Sequence, residues 1–172
     1  PELATLAEAD RAVAAAATAS RERSAPRITV LRPVHVLGDP SASPLARALD
    51  QGRLRTAIGF DPIMQVIHND DVGSAVAAAF RHDLRGVFNV AGPGALPVSV
   101  LAREVGAERV GGIGGKVADL AERVGLGGTA HFSPSELRYP INVSDQAFRT
   151  AARWEPTRSL AETVAWSRDG RR

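Results

Sequence analysis

The fold turns on the run Arg27-Ile28-Thr29-Val30-Leu31-Arg32-Pro33. Its centre is short, β-branched and apolar, with Pro26 before it and Pro33 closing it, which predicts a buried strand. Upstream, residues 2–20 are rich in alanine, and Leu3, Leu6, Ala9, Val13 and Ala17 recur at helical spacing. Ser20 to Pro26 is polar and ends in proline, which reads as a loop. A helix followed by a buried strand is one crossover step of a parallel α/β sheet. Downstream, Val34-His35-Val36-Leu37-Gly38-Asp39-Pro40 leads to a helix at 43–51, and residues 54–58 and 63–67 read as extended. Asn69-Asp70-Asp71 offers N-cap side chains to a helix at 71–82, with Val72, Val76, Ala79 and Phe80 expected on one face. Val87-Phe88-Asn89-Val90-Ala91 is a second clear strand, and Gly92-Pro93-Gly94 turns the chain. Pro97 and Ser99 introduce a helix carrying Val98, Leu101 and Val105. Gly111-Gly112 and Gly114-Gly115 are expected to flank a loop. Val117, Leu120, Ala121 and Val124 suggest another helix, which Gly125, Gly127 and Gly128 end. A short strand at 141–143 and helices near 144–152 and 159–167 complete the reading. No repeat, low-complexity linker or second domain is visible.

Composition narrows the class. The chain has 172 residues, 44% hydrophobic and 23% charged, which is globular and not disordered. Net charge is +2 although the pI is about 9.9. Lys116 is the only lysine, Tyr139 the only tyrosine, and cysteine is absent, so the high pI reflects arginine and not a nucleic-acid-binding surface. No apolar run approaches the ~18 residues of a membrane span. No basic, apolar leader opens the chain. The lack of cysteine excludes disulfides and thiolate metal sites and fits a reducing cytoplasm, the expected location. The chain begins Pro1-Glu2-Leu3 and its only methionine is Met64, so it reads as part of a longer protein.

Chemistry-bearing motifs are few. His35, His68, His82 and His131 form no His-x-x-x-His pair, and no Gly-x-Ser-x-Gly elbow occurs. Gly111–Gly115 lacks the Gly-x-Gly-x-x-Gly spacing and reads as a turn-forming loop. Asp70 and Asp71 suit either a metal or acid/base site or, more plainly, the capping of a helix. His68 ends a strand, where α/β sheets face their ligands, and is either a packed or a catalytic histidine. Arg32 ends an apolar strand and needs a partner, structural or a ligand phosphate.

Four segments in order carry a resemblance. They are Thr29–Pro40 with its Arg32-Pro33 turn; Met64-Gln65-Val66-Ile67-His68-Asn69-Asp70-Asp71-Val72; Gly86-Val87-Phe88-Asn89-Val90-Ala91-Gly92-Pro93-Gly94; and Arg138-Tyr139-Pro140 with Trp154–Thr163. Together they resemble the C-terminal half of the extended short-chain dehydrogenase/reductase family, the NAD-dependent epimerases and dehydratases. The resemblance implies an α/β fold: the last part of a Rossmann-like parallel sheet plus a small α/β substrate-binding subdomain. It places the final helix–strand steps of the sheet in 1–40 and the substrate subdomain in 41–172, with a returning strand near 87–91. It implies NAD or NADP as cofactor, with Pro33, Val34 and His35 on the cofactor side. Met64, Gln65, His68 and Arg138 are then expected to line the cleft for a sugar-like or other hydroxyl/carbonyl substrate, an apolar one included.

The same resemblance sets limits. The family's Gly-rich turn has no counterpart here. In its catalytic helix the Tyr-x-x-x-Lys pair falls near Glu2 and Leu6, neither of which can serve as that acid/base pair. The parent protein is thus expected to be an NAD(P)-dependent oxidoreductase and this chain alone inactive. The alternative is a degenerate member acting as a cofactor-sensing or scaffold subunit. Implied partners are the small-molecule substrate and either the missing Rossmann half or a second copy through the 2–20 helix.

Overall fold

The strand expected in Arg27–Pro33 forms as β1, Thr29–Pro33, and its partner is distant in sequence. The computed structural model describes residues 2–19, 27–57, 59–112, 140 and 142–169. Within them the order is α1 (Glu2–Ala19), β1, β2 (His35–Leu37), α2 (Pro44–Asp50), β3 (Arg53–Ala57), β4 (Ile63–His68) and α3 (Asn69–Arg81). There follow β5 (Gly86–Val90), β6 (Ala95–Pro97), α4 (Val98–Glu104), β7 (Glu108–Gly112), α5 (Gln146–Ala152) and α6 (Leu160–Asp169). The chain divides into two compact units, Pro1–Pro33 with Val72–Val90 and Ser144–Glu155, and Val34–Asp71 with Ala91–Val143 and Pro156–Arg172.

In the first unit β1 and β5 pair in parallel, from Thr29 opposite Gly86 to Pro33 opposite Val90. Parallel neighbours need a long crossover, which the intervening chain supplies. Arg32 resolves to its structural partner: its guanidinium grips Asp10 of α1 at 2.6 and 3.0 Å. Phe148 of α5 is fully buried and meets Phe88 and Trp154 with ring centroids 5.9 and 5.4 Å apart. The Trp154 indole N–H donates to Ser74 Oγ at 2.8 Å. Ser74→Ala strands that buried donor and should cost about 1–2 kcal/mol, read as a shift of the urea midpoint at constant slope.

The expected face of α3 holds at Ala79 but not at its large side chains. Val76 and Phe80 are exposed, Phe80 by 90%, while Asp71, Ala75, Ala78 and Ala79 are buried. The buried set also has helical spacing, and its small side chains permit close approach. Side-chain size pointed to a stripe turned away from it.

In the second unit β4 is central. It runs parallel to β2, with Leu37 opposite His68, and antiparallel to β6, with Met64 opposite Leu96. β3 and β7 form a separate parallel pair. The core gathers Leu37, Leu45, Leu49, Leu54, Met64 and Val66 with Leu96, Val98, Leu101 and Val164. Ser43 starts α2: its Oγ accepts from Ala46 N–H at 3.1 Å and donates to Val36 O at 2.7 Å. At α4, Asp61 takes the Ser99 N–H at 2.8 Å and its hydroxyl at 2.6 Å, capping a helix whose preceding residue is proline.

Two expectations fail here. Gly111 and Gly112 end strand β7 and are not a loop; glycine weakens strand propensity, and pairing with β3 overrides it. Val143 lies in no strand. Its backbone is instead gripped by the Gln65 side chain, which receives the Val143 N–H at 2.7 Å and donates to Val143 O at 3.2 Å. The helix expected at 117–124 and residue 141 lie outside the described residues.

Candidate functional site

Parallel strands converge at their carboxyl ends, and in the second unit these are Leu37 of β2 and His68 of β4. Gly38 follows Leu37 with φ +116°, a backbone that disfavours side chains. A Cβ there would stand 3.2 Å from Asn69 Cβ and 3.4 Å from His68 Nε2, so Gly38 also permits the close approach. His68 is 3% exposed. Its Nδ1 accepts the Asp70 N–H at 3.1 Å. That bond satisfies a helix-terminal donor and requires a neutral ring with the proton on Nε2. The Trp166 ring meets the imidazole edge-on, with centroids 5.8 Å apart.

Beyond His68 the two carboxylates divide their work. Asp70 faces Arg158, with Nη2 to Oδ2 at 2.8 Å. Its Oδ2 also lies 3.5 Å from His68 Nδ1. Asp71 is fully buried, and its carboxylate reaches beyond α3. It accepts the Thr157 N–H at 2.9 Å, the Thr157 hydroxyl at 2.8 Å and the Arg158 N–H at 3.2 Å. Asp71 thereby ties the start of α3 to the segment that leads into α6. Ser159 and Glu162 then form a capping box: Ser159 N–H donates to Glu162 Oε2 at 2.8 Å, and Glu162 N–H to Ser159 Oγ at 3.2 Å. The Ser159 hydroxyl and backbone N–H hold the Glu162 carboxyl below its usual range. The Ser-x-x-Glu spacing was the available signal for this cap.

Within the second unit the expected site residues do not all meet. Met64 and His68 share one face of β4, where Met64 is packed in the core. Gln65 lies on the other face, with its amide engaged by Val143. Pro33 is exposed at the end of β1 and Val34 is buried. His35 opens β2 half-buried, and desolvation lowers its pKa, so it stays neutral to more acidic pH than a free imidazole. Arg138 lies outside the described residues. Among the described residues no cluster of histidine and carboxylate side chains is suited to a metal ion, and no helix is long and apolar enough to cross a membrane.

No family model and no curated protein matches the chain. Solved structures do. RMD from Pseudomonas aeruginosa, complexed with NADPH, matches over 92% of this chain and 52% of its own, with TM-score 0.62 and 17% identity. UDP-glucose 4-epimerase from Thermotoga maritima, with UDP-glucose, matches over 87% and 47%, with TM-score 0.57 and 21% identity. dTDP-glucose 4,6-dehydratase from Bacillus anthracis, in complex with NAD, matches over 90% and 47%, with TM-score 0.57 and 13% identity. These are enzymes of the extended short-chain dehydrogenase/reductase type, and at such identities the likeness establishes the fold. The chain therefore has the Rossmann-like α/β fold of the epimerases and dehydratases, and it spans about half the length of the solved structures it matches.

Proposed function

We propose that the chain is the substrate-side portion of an NAD(P)-dependent oxidoreductase of the epimerase/dehydratase type, acting on a sugar-like or other hydroxyl/carbonyl substrate. The observation that carries this reading is the fold likeness: about nine tenths of the chain superposes on about half of enzymes whose structures hold NADPH, NAD or UDP-glucose. The His68–Asp71 junction at the carboxyl end of β4 supports it, because this is where α/β folds place ligands. On this reading Pro33, Val34 and His35 lie toward the nicotinamide side, and Met64, Gln65, His68 and Arg138 toward the substrate. Most dinucleotide contacts then belong to a half that this sequence does not contain.

NADH fluorescence titration of the 172-residue chain and of the full gene product tests the reading. The chain alone should not bind below about 1 mM, and the full product should bind in the micromolar range. Micromolar binding by the chain alone overturns the division of labour. No binding by the full product overturns the cofactor reading. Glu2 and Leu6, standing near where the resemblance expects Tyr and Lys, favour a second reading: a non-catalytic cofactor-sensing or scaffold subunit. Substrate-dependent reduction of NAD(P) by the full product excludes it.

A further inference from the structure

His68 is buried, holds a backbone donor with one nitrogen, and has a carboxylate waiting near that same nitrogen. Nδ1 accepts the Asp70 N–H at 3.1 Å, and Asp70 Oδ2 is 3.5 Å away but held by Arg158 at 2.8 Å. A proton added to the ring lands on Nδ1 and turns it from acceptor to donor. The Asp70 N–H then loses its acceptor, and the Asp70 carboxylate, 3.5 Å away, can receive the new N–H. We propose that His68 is a proton-operated switch at the β4–α3 junction: neutral, it caps α3 through the Asp70 N–H; protonated, it releases that cap and competes with Arg158 for the Asp70 carboxylate. The inference rests on the geometry of the second unit alone and not on the function proposed above.

The surrounding charges leave His68 as the group that responds. On α3 they are Asp70 and Asp71, the latter already accepting from Thr157 and the Arg158 backbone. From α6 and its approach come Arg158 and Glu162, and Glu162 is kept ionised by Ser159 first and by Arg158 after it. On β2 the nearby titratable group is His35, which burial keeps neutral to lower pH. β6 contributes only Ala95, Leu96 and Pro97. Because Arg158 begins the turn whose backbone Asp71 holds, freeing its side chain loosens the entry to α6. Trp166, on that helix and edge-on to His68, reports the change.

The chain has two tryptophans, so Trp154→Phe leaves Trp166 as the single reporter. In that variant, emission should fall by about half on acidification, because imidazolium quenches indole. Over the same titration the Asp70 amide should lose roughly tenfold in hydrogen-exchange protection, after correction for intrinsic rates. This second measurement needs no tryptophan variant and stands if Trp154→Phe folds poorly. His68→Asn keeps a side-chain oxygen to cap Asp70 but cannot titrate, so emission and protection should both be flat with pH. Flat emission and flat protection in the unsubstituted His68 chain overturn the switch. The same pH response in His68→Asn overturns it equally, by assigning the response to another group.

Discussion

Replacing Asp71 by alanine should destabilise the protein by about 3 kcal/mol, one of the two largest single-residue effects expected in this chain. The carboxylate is fully buried and accepts from two backbone N–H groups and one hydroxyl. Hydrogen bonds to charged groups contribute roughly 1.5–3 kcal/mol each, and those sharing one acceptor do not add. Alanine removes the acceptor and leaves the Thr157 and Arg158 N–H groups to find water. Asp71→Asn should recover less than half, because one of its two polar atoms is itself a donor and faces donors. Thr157→Val removes only the hydroxyl contact and should cost about 1 kcal/mol. Urea midpoints give the ranking, and hydrogen exchange at Thr157 and Arg158 locates it. An Asp71→Ala chain within about 0.5 kcal/mol of the parent would show that the three bonds contribute nothing net.

Asp71 also shows where sequence reading stops. Its neighbours announce a helix start, and a helix does start there. Local rules therefore assign a short carboxylate to capping. Its carboxylate reaches partners 86 and 87 residues away, and nothing at Thr157 or Arg158 announces them. What was legible was local and strongly bounded. The proline-flanked β-branched run became β1, and 63–67 and 87–91 became β4 and β5 within a residue or so at each end. What was not legible depended on a distant partner. β7 exists because β3 lies beside it, although its own Gly111 and Gly112 argue for a loop. Val143 has the β-branched look of a strand residue, but a side-chain amide, not a neighbouring strand, satisfies its backbone. The buried face of α3 follows three alanines and Asp71, which side-chain size could not single out. For the candidate site, the position at the end of β4 was readable from the α/β pattern. The work of each side chain was not: Met64 packs, Gln65 holds a backbone and His68 caps a helix.

Gly92→Ala is the other large effect expected, about 3 kcal/mol or more, with failure to accumulate folded protein as its extreme. Sequence assigns Gly92 to a turn with Pro93 and Gly94, where its freedom would be conformational. The structure gives a different reason: its φ is not in the positive range, and the requirement is space. A Cβ on Gly92 would overlap the Val66 carbonyl oxygen outright and would stand 3.1 Å from Val66 C and 3.2 Å from Ile67 Cα. All three are backbone atoms of β4. That strand has β2 on one side and β6 on the other, so it cannot yield without breaking a ladder. A flexible side chain could swing away; a central strand cannot. Gly94→Ala is the matched control two residues on, because its Cβ would meet only Leu160 Cδ2, at 3.4 Å. It should fall within about 0.5 kcal/mol of the parent. Thermal and urea unfolding of the pair decide the matter. If both glycines tolerate alanine equally, close approach to β4 is not what position 92 requires; if Gly92→Ala alone collapses stability, the segment after β5 is held in place by contact with the sheet that carries His68.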